Sequence, residues 1–279
     1  MSISAGTSEI ERPPPRIGER IELSLPRWPE ALDGAEILHL SDPHIRRYRP
    51  VFRRLIDAVS RLRPDFVCLT GDYITARGDE RAGLRVLGDL FDALRPRFGV
   101  FASFGNHDTA AFKRMAPRAF PQVNWLEQQA ATRPDLGLTF MGTSTPGDVF
   151  ATTIAADEAE RDAGAEPGST YRVLLAHEPN VVITAAEFDI EWTLAGHTHG
   201  GQIRAPWIPF APHNYSDLPR AMSSGILRVR DSICTISRGV GDSLFDVRLF
   251  CPRQIATYVV RRGPLPGEPT RRLRRIRWW

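Results

Sequence analysis

Five short segments carry side chains suited to holding cations. They are SDPH at 41–44, GD at 71–72, GNHD at 105–108, AHE at 176–178 and GHTHGG at 196–201. Six of the seven histidines in this 279-residue chain fall in or beside them. Carboxylate oxygen, imidazole nitrogen and amide oxygen suit borderline or hard cations such as Zn²⁺, Mn²⁺ and Fe²⁺. No cysteine belongs to the set, which argues against a structural thiolate–zinc site. Asp42, His44, Asp72, Asn106, His177, His197 and His199 are too many ligands for one ordinary ion. They suffice for two if one carboxylate bridges. Two cations about 3.5–4 Å apart suit phosphate-ester hydrolysis, which needs a hydroxide near neutral pH and a sink for charge on the phosphoryl oxygens.

The elements that must bring these residues together are legible as alternating strands and helices. AEILHLSD (35–42) reads as a buried strand. Pro50 opens a helix whose apolar positions, from Val51 to Leu62, follow helical spacing. FVCLTGD is a second buried strand, and 81–95 a second amphipathic helix. FGVFASF (98–104) leads into GNHD. Residues 109–116 read as a short helix and 121–129 as another. LGLTFMGT (136–143) is a strand, and 145–169 a loop with a helix. YRVLLAHEP delivers His177, and FDIEWTLAGHTHGGQ delivers His197 and His199. In an open parallel sheet the carboxyl ends of such strands lie side by side, so Asp42 and Asp72 become neighbours despite thirty intervening residues. From 223 onward, runs such as ICTISRG and QIATYVV suggest a second sheet packed on the first.

The motifs SDPH, GDY, GNHD, AHEP and GHTHGGQ, in that order across roughly 35–260, resemble the calcineurin-like metallophosphoesterase family. The resemblance implies a four-layer αββα sandwich of two mixed sheets flanked by helices. It implies two divalent metal ions (Mn, Zn or Fe): Asp42, His44 and His199 would hold the first, Asn106, His177 and His197 the second, and Asp72 would bridge. His107 would contact phosphate and protonate the leaving group, with Asp108 holding His107 in orientation. Hydroxide held by the metals would attack phosphorus in line. The GHTHGGQ ending resembles a bacterial branch of small phosphodiesterases, some of them membrane-associated, that includes UDP-2,3-diacylglucosamine pyrophosphatases. The expected activity is hydrolysis of a phosphodiester or pyrophosphate, with a lipid-linked nucleotide as candidate substrate. The alternatives are small soluble nucleotides and a non-catalytic binding protein on the same fold.

Around these residues, Arg46, Arg47 and His213 are candidates for contacting the substrate, together with Asn106. Arginine matches phosphate oxygens well. Lys113 and Arg114 follow GNHD closely, and Tyr73 flanks the site or packs in the core. Trp207 and Phe210 offer an apolar wall beside the last histidine pair. His39, inside a strand, reads as a core residue or a support for the ligands.

Residues 1–30 read as a polar leader containing an edge strand at ERIELSLPRW. Residues 31–260 read as the metallophosphoesterase domain and 261–279 as a basic tail. The tail holds seven arginines against one glutamate, a charge of +6, so the remainder carries −3 of the net +3. The basic excess therefore marks the tail and not a nucleic-acid-binding face, and no nucleic-acid module is recognisable. RRLRRIRWW suits an anionic membrane surface. No apolar run is long enough to span a bilayer and no secretory signal is visible. Three unpaired cysteines fit a reducing compartment. The expected location is cytoplasmic, peripheral on the inner face of the membrane.

Overall fold

Alternate residues of the buried strands enter different layers, and this sets the architecture. The computed structural model describes residues 18–143, 148–205, 207, 216–243 and 247–265. The first sheet has the order β1 (Gly18–Leu25), β12 (Ile255–Arg262), β2 (Ala35–Leu40), β3 (Phe66–Thr70), β4 (Gly99–Ser103) and β5 (Val123–Trp125). The run β2 to β5 is parallel, as the connecting helices α1 (Pro50–Val59), α2 (Glu80–Ala93) and α3 (Ala110–Ala119) require. The second sheet has the order β10 (Gly225–Val229), β11 (Ser232–Ile236), β9 (Trp192–Ala195), β8 (Tyr171–Ala176), β7 (Leu138–Thr143) and β6 (Gln129–Arg133). Helices α4 (Val149–Asp162) and α5 (Val181–Ala185) cover its outer face.

Each strand feeds two cores. Leu38, Leu40, Val67, Leu69 and Val100 pack against Phe52, Leu55, Val59, Leu87 and Leu90 of α1 and α2. The intervening residues Ile37, Phe66, Cys68 and Phe101 face the second sheet, meeting Phe140, Val173, Leu175, Trp192 and Leu194. Phe101 stacks on Phe140 with ring centroids 3.9 Å apart. Met141, Leu174 and Ala176 pack outward against Val149, Ala156, Val181 and Ala185. The layers are thus helix, sheet, sheet, helix, as expected. Burial on both faces explains why the parallel strands read as continuous apolar runs instead of alternating ones.

Two segments differ from the sequence expectation. Residues 121–129 form no helix. Val123 to Trp125 pair with β4 instead, and Trp125 stacks on Phe104 with centroids 4.9 Å apart. This aromatic packing decides a segment too short for stable helical turns. QIATYVV does not join the second sheet. As β12 it lies between β1 and β2, antiparallel to β2 and parallel to β1. The edge strand expected within the leader forms as β1, where exposed Arg20 and Glu22 precede Leu23 and Leu25 in the core. Residues 266–279, most of the basic tail, lie outside the described residues.

The inter-sheet aromatic layer should dominate stability. Phe140→Ala is expected to lower the unfolding free energy by about 3–5 kcal/mol, read as a lower urea midpoint at unchanged slope.

Candidate metal centre

All the ligand-bearing strands end at the same edge of the sandwich. β2, β3 and β4 deliver Asp42 and His44, Asp72, and the GNHD turn from the first sheet. β8 and β9 deliver His177 and the pair His197 and His199 from the second. Hydrogen bonds join the two sets. The Nδ1–H of His177 donates to the Thr70 carbonyl at the end of β3, 2.8 Å away. The His197 amide donates to the Asp42 carboxylate at 3.0 Å. The amides of Val240 and Gly241 donate to the carbonyls of Ser41 and Asp42.

Two groups of ligand atoms result: Asp42, His44 and His199, and Asp72, His177 and His197. Within the first, His44 Nε2 lies 3.0 Å from His199 Nε2, and His199 Nε2 lies 3.5 Å from Asp42 Oδ1. Within the second, His177 Nε2 lies 3.1 Å from both His197 Nδ1 and Asp72 Oδ2. Asp72 Oδ2 is also 3.3 Å from His44 Nε2, so one carboxylate oxygen faces both groups. Ligands bonded at about 2.1 Å in octahedral or tetrahedral geometry stand roughly 3.0–3.4 Å apart, and these separations match. The donor set fits a cation in a further way. Donation from His177 Nδ1 to Thr70 leaves the Nε2 lone pair of the neutral ring aimed at its partners. Two imidazole lone pairs 3 Å apart repel unless a proton or a cation lies between them.

The backbone is bent to achieve this. Ten described non-glycine residues have positive φ, and five of them are Asp42, His44, Asp72, His197 and His199, with φ between 46° and 67°. Such conformations are uncommon for residues with a Cβ and persist where surrounding contacts enforce them. Two glycines permit the close approach of the segments. A Cβ on Gly105 would collide with the Asp72 carboxylate, and one on Gly196 would strike Ser41 and Asp42.

The remaining expected residues divide clearly. His107 is half-buried, and its Nδ1–H donates to the Thr75 carbonyl at 2.7 Å. Its ring lies edge-on to His44 with centroids 4.9 Å apart, and its amide donates to Asp72 Oδ1. Asp108 does not orient His107. Its buried carboxylate accepts from the backbone amides of Asp72, Tyr73, Ile74 and Gly105. It shapes the loop that carries Asp72, while Thr75 takes the role assigned to it on His107. Asn106 is exposed on the same turn. Arg46 is exposed and bonds Thr75 Oγ1 and the Ser243 carbonyl, and Arg47 beside it is exposed. Lys113 pairs with Glu127, and Tyr73 is a core residue bonded to the Ser103 carbonyl. His213 and Phe210 lie outside the described residues.

Two supports were not visible in the sequence. Arg248, from an unremarkable DVRLF run, places a buried guanidinium 3.2 Å from His199 Nδ1 and 3.1 Å from Asp242, and bonds the Arg238 carbonyl. Thr70 links outward through its hydroxyl to Ser41 Oγ and His39 Nε2, while its carbonyl holds His177. His39 is thus a buried support beneath the ligands.

The charges are strongly perturbed. Burial disfavours the charge on His177, but Asp72, Asp42 and the Thr70 carbonyl outweigh it and raise its pKa to about 10. Burial lowers His199 to about 3, with His44 and Arg248 adding to the effect against Asp42. Burial would raise Asp72, yet His177 and His44 hold it well below the usual carboxylate range. Burial and Asp72 push Asp108 up to about 7.

Two groups of carboxylate and imidazole donors with one carboxylate oxygen facing both are suited to holding divalent cations. The chain belongs to the calcineurin-like phosphoesterase family, whose model matches residues 35–201. That family uses divalent metals. Its relatives include the uncharacterised metallophosphoesterase YkuE of Bacillus subtilis, 21% identical over 84% of this chain and 81% of that protein. The phosphodiesterase YaeI of Escherichia coli is 27% identical over 79% of this chain and 80% of its own length. The UDP-2,3-diacylglucosamine pyrophosphatase LpxG of Chlamydia trachomatis is 25% identical over 69% of this chain and 71% of its own.

The metal-free protein should lose stability as pH rises. His177 has a folded-state pKa raised from 6.5 to about 10, so its contribution is complete below about pH 6.5 and is lost on approaching 10. Asp108, also raised, acts in the same direction through about pH 7. Urea unfolding of chelator-treated protein between pH 6 and 10 is expected to show a falling midpoint, and a flat profile would contradict these assignments.

Proposed function

We propose that the protein is a hydrolase of phosphodiester or pyrophosphate bonds that works with two divalent cations, and that a lipid-linked nucleotide is among its substrates. The observation that carries this reading is the position of Asp72 Oδ2, within 3.3 Å of His44 in one ligand group and 3.1 Å of His177 in the other. Asp42, His44 and His199 would hold one cation. His177, His197 and the amide oxygen of Asn106 would hold the second, with Asp72 shared. Divalent cations held there supply Lewis acidity that activates water and neutralises phosphoryl charge.

The chain's own residues account for the rest. The His177 ring is held by the Thr70 carbonyl, and Arg248 donates to the backbone carbonyl of His199, which holds the segment carrying that ligand. His107 is anchored at Nδ1 by Thr75, which leaves Nε2 at the open side beside His44. From there Nε2 can donate a hydrogen bond to a phosphoryl oxygen and pass a proton to the departing oxygen. Arg46 bonds the hydroxyl of Thr75, whose carbonyl anchors His107, and with exposed Arg47 would attract the anionic substrate. The likeness to LpxG supports a lipid-linked diphosphate as the substrate class. Mn, Zn and Fe all accept this donor set.

Turnover of bis(p-nitrophenyl) phosphate is expected after loading with Mn²⁺, and metal analysis should return two ions per chain. Inactivity with every divalent cation tried, together with at most one bound ion, would overturn the reading. Asp72→Ala is expected to lose at least one of the two ions and nearly all turnover. His107→Ala should keep both ions while kcat falls by about 10²- to 10⁴-fold.

A further inference from the structure

Of the nine large apolar side chains exposed among the described residues, five lie on two segments next to the metal centre. Ile203, Trp207, Val247, Leu249 and Phe250 are all exposed, Trp207 at 81%. Backbone pairing brings their two segments together. Ile203 and Leu249 form a parallel bridge, the Arg204 amide donates to the Leu249 carbonyl, and the Leu249 amide donates to the Gln202 carbonyl. The Gln202 side chain fixes the Val247 carbonyl at 2.9 Å. In the extended run 247–249 alternate side chains face opposite ways. Arg248 points inward to His199, with its side chain 5% exposed, and Val247 and Leu249 point out. The apolar ledge is therefore the outer face of the segment whose inner face steadies a ligand histidine.

Charge borders the ledge on one side. Arg46 bonds the Ser243 carbonyl, four residues before Val247, and Arg46 and Arg47 are both exposed. We propose that this ledge and its arginine rim are a docking surface for an anionic lipid bilayer. Apolar side chains would enter the acyl boundary and the arginines would meet headgroup phosphates, the arrangement that favours interfacial binding. An exposed tryptophan suits that boundary. The binding itself goes beyond the phosphoesterase reading and does not require it.

The test uses the full chain and vesicles of phosphatidylcholine with and without phosphatidylglycerol. Co-sedimentation is expected with the anionic vesicles and should weaken with added salt. Val247→Ser/Phe250→Ser should reduce the partition coefficient by about tenfold or more, since interfacial affinity scales with buried apolar area. Ile203→Ser should reduce it by a smaller factor and serves as the second variant should the double one fold poorly. Turnover of bis(p-nitrophenyl) phosphate in free solution should be unchanged in both, which separates lost docking from lost structure. Failure of the wild-type protein to bind anionic vesicles would overturn the proposal. So would variants that bind like the wild type, which would move the attachment to another part of the chain, such as the basic tail. A dimer in sedimentation velocity that the same substitutions dissolve, without vesicle binding, would assign the ledge to a second copy. An inactive metal centre in a protein that still binds vesicles through the ledge would leave this proposal standing and remove only the catalytic one.

Discussion

Two buried carboxylates, Asp42 and Asp72, reach toward the same histidine, His177, at 3.9 and 3.1 Å. Like charges this close and this deeply buried are unstable without positive charge between them. That constraint organises the centre. It explains why imidazoles crowd the carboxylates, why His177 draws so strongly on a proton in the absence of metal, and why backbone amides are turned toward carboxylate oxygens. Asp42 accepts from the His197 amide, Asp72 from the His107 amide, and Asp108 from four amides of the loops around it. The metal-free centre is a cage of partial compensations that divalent cations can replace outright.

The cage is held by contacts from outside it. Five ligands sit in left-handed backbone conformations that their side chains disfavour, so the surroundings must impose them. Backbone contacts do this: the Asp42 amide donates to the Gly71 carbonyl, the His44 amide to the Asp72 carbonyl, the Asp72 amide to Asp108, the His197 amide to Asp42, and Arg248 to the His199 carbonyl. Because ligands come from both sheets, the aromatic layer between the sheets also positions them. Phe101 and Phe140 pack in the layer from which β4 and β8 run toward the centre, so packing far from the chemistry fixes the spacing at the site.

The meeting of Asp42, His44, Asp72, His177, His197 and His199 was legible in the sequence because each follows an apolar strand, and parallel strands deliver their ends to one edge. The four layers were legible for the same reason. What escaped depends on pairings distant in sequence. Nothing local in QIATYVV says that it enters the first sheet between β1 and β2. Asp108 looks like a partner for the adjacent histidine, yet its acceptors are satisfied by amides more than thirty residues earlier as well as by Gly105. Arg248 carries no motif, because its value comes from strand alternation beside His199. Trp125 drew its segment into the sheet through a stacking partner, Phe104, that helical periodicity does not register.

The place of β12 carries a further consequence for how the molecule comes into being. It is the last of the described strands in chain order, but it occupies an interior position of the first sheet and separates β1 from β2. During synthesis on the ribosome β1 therefore waits, without its one neighbour among the described strands, until more than two hundred further residues have emerged. Through that interval the edge of β2 is also open to other chains. The completion of the sandwich is thus a late, non-local event, and the vulnerable period of this protein lies in its biogenesis and not in its folded life.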